Sequence, residues 1–234
     1  MFPAVTLVWM GRSFSTEVCG RYAPESAVVS VGMRAFYCAV GDSVIEIRIH
    51  GRGGQGSVVA AYVLATAAIA QGWFAQAFPS FGAERRGAPV AAFVRIATSP
   101  IRRRCEVNEP AFVIIQDETL AVLPESLAGL APEGGVVINS QRDSRELSGV
   151  LGRTIYALPA TRLSLETLGR PMPNTALLSA FLALTELLPV ASLKDALVAR
   201  FAGEVLARNL HLIDQVATAT PGGIWKERAH ATSA

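Results

Sequence analysis

The sequence predicts an α/β fold, with a Rossmann-like, largely parallel sheet, flanking helices and a helical C-terminal part. Between residues 44 and 158, short runs rich in β-branched and other apolar residues alternate with helical and loop-like segments. After residue 160 the apolar residues recur at helical spacing instead. A chain in which strands first alternate with helices and only helices follow is typical of a parallel sheet covered by helices.

The regular pattern begins abruptly at Val44. Residues 44–49 read as a strand in which Glu46 and Arg48 alternate with apolar residues, and His50-Gly51 ends it. A helix is expected over residues 57–71, after a glycine-rich loop. Further strands are expected over residues 73–78, 89–97, 102–107 (an edge strand), 112–116, 134–139 and 154–158.

The C-terminal helices are expected over residues 161–168, 174–188, 193–201 and 204–218. We therefore predict one domain over residues 44–219. Residues 1–43 have no clear period and are predicted to be an N-terminal extension that is poorly ordered or not translated, with Val44 as the alternative start; intact-mass measurement of the native protein tests this. Residues 220–234 form a C-terminal tail, and from Pro221 it is expected to be loose.

The composition limits the classes of function. Only 17% of the 234 residues are charged, against about 25% in ordinary globular domains, while 51% are hydrophobic. High hydrophobicity excludes intrinsic disorder as the main state and suggests that partner subunits cover part of the surface. A net charge of +2 gives no reason to expect nucleic acid or an acidic membrane surface as a partner.

Residues 53–83 contain no charged side chain, so a membrane span has to be considered. The most apolar part of this window is rich in alanine, and Gly72 interrupts the helical pattern, which favours a buried helix followed by a buried strand. The three cysteines, Cys19, Cys38 and Cys105, are too few for a four-cysteine iron–sulfur cluster, and their wide spacing gives no disulfide framework. A cytoplasmic protein with no metal site of its own is expected.

The strongest chemical signal is the loop between the first strand and the first helix. Its residues Gly51, Arg52, Gly53, Gly54, Gln55 and Gly56 are candidates for binding an anion, because glycines allow close backbone approach and the helix directs unpaired amides toward the ligand. The glycines have the spacing of the dinucleotide fingerprint. However, the second strand ends in Phe78-Pro79-Ser80 without the expected acidic residue, which argues against NAD. A purely structural turn remains the alternative.

A second candidate segment is Glu84-Arg85-Arg86-Gly87, in the loop after the second strand. In a parallel sheet this loop lies at the same edge as the glycine-rich loop, so Arg85 and Arg86 would be placed to clamp a phosphate. Alternatively, Glu84 pairs with one arginine and the other faces solvent or a partner subunit.

Catalytic equipment is scarce. Of the three histidines, His50 lies beside the glycine-rich loop and is expected to hydrogen-bond the turn rather than to act as a base. No HxxxH or GxSxG motif is present, so a self-sufficient hydrolase or metalloenzyme is not expected. The chain is equipped for binding and has no candidate catalytic residue.

Residues 45–96, with the motifs GRGGQG and PSFGAERRGAPVAAF, resemble the γ subunit of 2-oxoacid:ferredoxin oxidoreductases of the pyruvate or branched-chain type. The resemblance continues in order through DETL at 117–120, the segment from Gly134 to Ser140, PAT at 159–161 and GRPMPNT at 169–175, which contains Asn174. It covers about residues 44 to 219. Residues 1–43 and the segment from Pro221 have no counterpart in the family.

The resemblance implies a subunit of a thiamine-diphosphate, iron–sulfur enzyme that converts a 2-oxoacid and coenzyme A to acyl-CoA and carbon dioxide, with electrons passing to ferredoxin. It implies α, β and δ partner subunits, with thiamine diphosphate between α and β and [4Fe-4S] clusters in β and δ. In the single-chain relatives the equivalent domain is associated with coenzyme A binding, which implies coenzyme A as the anion for the glycine-rich loop, Arg85, Arg86 and Asn174. Two alternatives stay open: a scaffold subunit without ligand contacts, and a subunit of an NAD-linked relative such as phenylglyoxylate dehydrogenase.

Overall fold

The computed structural model describes residues 44–80 and 87–231, with backbone only for the last two. Residues 1–43, for which an extension or a later start is predicted, lie outside the described residues. Arg85 and Arg86 lie outside them as well.

Within the described part of the chain, six strands form one mixed sheet in the order β2-β3-β1-β4-β5-β6. β1, β4, β5 and β6 are parallel, whereas β3 runs antiparallel to both of its neighbours, β1 and β2. The expected largely parallel sheet is therefore confirmed, with β3 as the reversed strand. The strands are β1 Val44–Arg52, β2 Phe74–Pro79, β3 Pro89–Ala97, β4 Phe112–Ile115, β5 Gly135–Asn139 and β6 Thr154–Leu158.

One face of the sheet packs against α1 and the C-terminal helices. The side chains of Ile45, Ile47 and Ile49 point to this face and join the larger core cluster. The expected C-terminal helices are confirmed, although the second ends at Thr185 rather than at residue 188, and the third spans Val190–Val198 rather than residues 193–201. The helices of this layer are α1 Ser57–Ala70, α4 Ala160–Leu168, α5 Asn174–Thr185, α6 Val190–Val198, α7 Gly203–Ala219 and α8 Lys226–Ala231.

The opposite face is covered by two shorter helices, α2 Pro124–Leu127 and α3 Ser144–Leu151, and by a 3-10 turn at Glu118–Leu120. A smaller core cluster forms here from alternate residues of β4 and β5, including Val113 and Ile138. The pattern did not predict α3, although Asp143 caps it by accepting hydrogen bonds from the amides of Arg145 and Glu146.

The prediction of an edge strand over residues 102–107 is wrong. This segment is irregular and crosses the second face of the sheet, where its carbonyl groups bind two buried guanidinium groups. Arg95 donates from Nη2 to the Cys105 carbonyl at 2.8 Å, and Arg48 donates from Nη1 to the Val107 carbonyl at 3.3 Å. These carbonyls are bound by arginine side chains and not by a neighbouring strand.

The expectation of a loose segment from Pro221 is wrong for residues 221–229. Trp225 is 3% exposed, stacks on Phe112 of β4 with ring centroids 6.2 Å apart, and lies over Gly135 of β5. Its amide also donates to the Leu184 carbonyl at 2.7 Å. The end of the chain is therefore part of the main core, because an indole of this size gains much from burial.

The uncharged window after Gly53 forms a helix and a strand, α1 and β2, as predicted, but β2 is an edge strand in which only Ala75 is buried, so the expectation of a buried strand is wrong. Eight of the 14 residues of α1 are buried, between the sheet and the helices α5 and α6. Among residues 44–80 and 87–231, no helix has the length and apolarity that crossing a membrane requires.

Candidate functional site

The candidate site lies where the connections of the sheet diverge. From β1 the chain passes through α1 to β2 on one side of the sheet, whereas from β4 it continues to β5 on the other side. The carboxyl ends of the neighbouring strands β1 and β4 therefore flank a crevice. In open α/β sheets, ligands bind at such a point.

The glycine-rich loop forms one wall of this crevice. Gly54 and Gly56 have φ angles of 101° and 81°, in the region that glycine adopts readily. Gly51 is required for space, since a Cβ there would lie 2.3 Å from Ser57 Oγ and 2.8 Å from Gln116 Oε1.

The backbone amides of this loop divide into two groups. The amide of Gly53 donates to the Ala88 carbonyl at 2.9 Å, and that of Gln55 donates to the Arg52 carbonyl at 3.0 Å. The amides of Gly54 and Gly56 have no partner among the described residues, and the first amides of α1 have none within the helix. Because Gly56 supplies no side-chain cap, these amides, which we call the cradle, have the character of a helix N-terminus, a place where anions can bind.

The two predicted loops meet at this edge of the sheet. Besides the bond from Gly53 to Ala88, the Gly87 amide donates to the Gly53 carbonyl at 3.2 Å. The expected convergence is thus confirmed for the described flank of the second loop. The positions of Arg85 and Arg86 relative to the cradle stay predictions.

Arg52 connects three segments. Its Nε donates to Asp117 Oδ2 at 2.8 Å, its Nη1 to the Gly87 carbonyl at 3.1 Å and its Nη2 to Thr119 Oγ1 at 2.6 Å. Arg52 therefore holds the glycine-rich loop, the second loop and the turn after β4 together.

The Asp117 carboxylate is held in its ionised form. Partial burial alone would raise its pKa, but hydrogen bonds from the Thr119 hydroxyl and amide, together with the Arg52 guanidinium, outweigh burial and lower the pKa below its usual range. The cross-link between the loops thus persists throughout the neutral pH range.

Asn174 lies at the start of α5, next to the end of the glycine-rich loop. A Cβ on Gly56 would be 2.7 Å from Asn174 Nδ2, so the two residues are in close contact. Asn174 is 7% exposed, and its Oδ1 accepts from the Thr175 amide. The structure therefore brings Asn174 to the end of the glycine-rich loop, beside Gly56.

Beyond the glycine-rich loop, the crevice opens into a cleft of about 300 Å³ at the carboxyl ends of β4 and β5. Gln116 is fully buried in its wall, and Asn139 fastens it by donating from Nδ2 to the Gln116 carbonyl at 2.9 Å. Asn139 also exchanges hydrogen bonds with Thr161 at the start of α4. The motif analysis did not select these side chains, although each of them directly follows or faces a strand end, which is the signal that would have found them.

His50 does not hydrogen-bond the turn, so that expectation is wrong. β1 continues to Arg52, and the buried imidazole of His50 makes no side-chain hydrogen bond with the described residues. Burial, assisted by the nearby Arg48 charge, lowers the pKa of His50 to about 4. A neutral imidazole enclosed in the sheet is consistent with a structural residue.

No group of metal-ligating side chains occurs in the residues that the structure describes, and Cys105 is a free, exposed thiol. The site therefore consists of the cradle and the polar cleft beside it.

The family model for pyruvate ferredoxin/flavodoxin oxidoreductase matches residues 46–219. The chain belongs to this family.

Two proteins of similar sequence support this family assignment. The pyruvate synthase subunit PorC of Methanocaldococcus jannaschii is 46% identical over 166 residues, which are 71% of this chain and 91% of that protein. The common γ subunit of the pyruvate/ketoisovalerate oxidoreductases of Pyrococcus abyssi is 44% identical over 169 residues, with the same shares covered. The predicted kinship with γ subunits of 2-oxoacid oxidoreductases is thereby confirmed.

A solved structure shares the fold. The crystal structure of the pyruvate oxidoreductase subunit PORC of Thermotoga maritima has 33% sequence identity and a TM-score of 0.68, covering 75% of this chain and 96% of that one. The chain is thus a non-autonomous subunit of a 2-oxoacid oxidoreductase.

Proposed function

We propose that this chain is the γ subunit of a cytoplasmic 2-oxoacid:ferredoxin oxidoreductase of the pyruvate or branched-chain type, and that it contributes to coenzyme A binding and to assembly. The complete enzyme converts a 2-oxoacid and coenzyme A to acyl-CoA and carbon dioxide, with electrons passing to ferredoxin. The α, β and δ subunits are its partners, and they hold the thiamine diphosphate and the iron–sulfur clusters. The family membership of the chain supports this assignment.

The observation that carries the coenzyme A proposal is the cradle of unpartnered amides at Gly54, Gly56 and the start of α1. Coenzyme A carries phosphates, and amides at a helix start with an open approach suit a phosphate. At Gly54, a Cβ would meet no atom of residues 44–80 and 87–231 within 4 Å, which supports an open approach. Arg85 and Arg86 would add positive charge from the second loop.

The test is made on the assembled complex. Gly54→Val should raise the apparent Michaelis constant for coenzyme A, because side-chain atoms would enter the approach to the cradle. Arg85→Ala and Arg86→Ala should each weaken coenzyme A binding by about 10- to 150-fold, the cost of one charge-assisted contact. Reduction of the clusters by 2-oxoacid before coenzyme A is added should change much less.

Gly72→Val is the matched control. Gly72 also has a positive φ, 85°, and open space, but it lies after α1 at the opposite edge of the sheet. It therefore reproduces the backbone strain of the Gly54 variant without touching the cradle. If the Gly54, Arg85 and Arg86 variants all assemble and keep wild-type coenzyme A dependence, the loop is structural and the chain is a scaffold.

A further inference from the structure

Arg48 of β1 is a buried guanidinium whose positive charge is not neutralised. It is 7% exposed, and its Nη1 and Nη2 donate to the carbonyls of Val107, Ser126 and Ala128. Burial lowers the pKa of Arg48, and no carboxylate in the described part of the chain offsets that effect. The carbonyl oxygens satisfy hydrogen bonds but supply no negative charge, so a buried charge is left without a counter-ion.

The other charged groups on this face of the sheet are already paired with one another. Side chains alternate along β1, so Glu46, Arg48 and Arg52 share the second face, and Arg95 of β3 lies opposite Glu46. Glu46 is 2.6 Å from Arg95, and Asp117 is 2.8 Å from Arg52. Three guanidinium groups therefore face two carboxylates, which leaves one excess positive charge at Arg48.

Three buried polar atoms beside this charge have no hydrogen-bond partner: Arg48 Nε, His50 Nε2 and Ser126 Oγ. His50 is the next residue along β1 on the same face, and it is close enough for the Arg48 charge to lower its pKa. Ser126 lies at the edge of the guanidinium that Nε shares with Nη2, because Nη2 donates to the Ser126 carbonyl at 3.3 Å. Each of the three groups can donate a hydrogen bond, so all three can be satisfied by one negatively charged acceptor.

We propose that a monovalent anion of the size of chloride binds between β1 and α2, where it accepts hydrogen bonds from Arg48 Nε, His50 Nε2 and Ser126 Oγ. Its single charge matches the excess at Arg48, and its small size matches donors that are at most 8% exposed. The site lies under α2 on the second face of the sheet, and it goes beyond the proposed coenzyme A binding. Because the ion joins β1 to α2, it stabilises the packing of this helix on the sheet.

The first experiment is urea unfolding of the dilute full-length chain at pH 8, with sodium chloride replacing sodium gluconate at constant ionic strength. At pH 8 the His50 imidazole is neutral in the folded chain, where its pKa is about 4, and in the unfolded chain, so its titration does not contribute. Once chloride exceeds its dissociation constant, the folding equilibrium constant should increase tenfold for each tenfold increase in chloride.

Arg48→Met should abolish this chloride dependence, because it removes the charge. Ser126→Ala keeps the charge and removes one donor, so it should weaken chloride binding by about 2- to 12-fold. Arg162→Met is the control for a general effect of salt, since Arg162 forms an exposed ion pair with Glu166 on α4. This variant should keep the chloride dependence of the wild type.

The second experiment locates the ion directly and does not depend on the folding of a variant. Crystals of the full-length chain are soaked in sodium bromide, and anomalous scattering should show a bromide ion in contact with Arg48 Nε and Ser126 Oγ. A water molecule at this position, without anomalous signal, would overturn the inference, and so would a chloride dependence that persists in Arg48→Met. Neither result affects the coenzyme A proposal, which Gly54→Val tests separately.

Discussion

At the scale of single residues, the buried polar side chains of the sheet differ in whether hydrogen bonds or ion pairs compensate their burial. Arg48, His50 and Arg95 all lie on the β1–β3 part of the sheet and are at most 8% exposed. Arg95 is compensated by Glu46, with Nε 2.6 Å from Oε1, whereas Arg48 is bound by the carbonyls of Val107, Ser126 and Ala128. His50 has no such compensation.

His50 should therefore make the stability of the protein depend on pH. Its folded pKa, about 4, lies below the ordinary 6.5, so as pH falls below 6.5 the unfolded chain takes up a proton before the folded chain does. Stability should decrease by about 2 kcal/mol between pH 7 and pH 5 and by about 3 kcal/mol once both states are protonated. His50→Gln should remove most of this dependence in urea unfolding of the dilute purified chain.

His211→Gln is the control, because His211 is exposed on α7. A His50→Gln protein that loses the same stability as the wild type between pH 7 and pH 5 would contradict the assignment. The titration of Asp117 does not contribute to the change in stability between pH 7 and pH 5. Its depressed pKa gives a contribution that is present above its unfolded pKa and is lost only at lower pH, as the pH falls through the folded value.

At the scale of secondary structure, the segment after α7 closes the core. Trp225 packs on β4 and β5, where a Cβ on Gly135 would come within 2.9 Å of the indole. The strand residue must be glycine because the ring lies directly on its Cα. This contact links residues about 90 positions apart in the chain, so the C-terminal segment cannot be treated as an appendage.

Trp225→Ala should destabilise the chain by about 3–5 kcal/mol, the usual cost of emptying a large aromatic site in a core. Urea unfolding of the purified chain measures it. Ile224→Ala is the control, since Ile224 is the preceding residue and is 56% exposed; it should cost less than about 0.5 kcal/mol. Equal stability of the two variants would show that the indole is not part of the core.

At the scale of the whole molecule, large apolar side chains are exposed to solvent on both sides of the sheet. Val122 and Val150 are 77% and 67% exposed on the side of α2 and α3, and Val198 and Val205 are more than half exposed on α6 and α7. Together with the low proportion of charged residues, this is consistent with a chain that is covered by other subunits.

The purified chain alone should therefore have no 2-oxoacid oxidation activity with an artificial electron acceptor, and it should self-associate at high concentration. Turnover after addition of only thiamine diphosphate and coenzyme A would refute its assignment as a non-autonomous subunit. The assembled complex, assayed in the same buffer, is the positive control. Analytical ultracentrifugation over a range of concentrations measures the self-association.

The sequence by itself determined most of the secondary structure, the glycine-rich loop and the family. These features depend on local periodicity and on motifs of adjacent residues, as with the alternating β1 and the helices α4 to α7. The meeting of the two loops was also predictable, because strands that run in the same direction end at the same edge of a sheet.

Only the tertiary structure showed how these elements are oriented and which distant residues contact them. The reversed direction of β3, the irregular path of residues 102–107 over Arg48 and Arg95, and the burial of Trp225 depend on contacts between distant parts of the chain. The same holds for Gln116, whose side chain meets Ser57 from 59 positions away. No local pattern specifies such contacts, because a buried polar group is stabilised by whichever partners the packing brings to it.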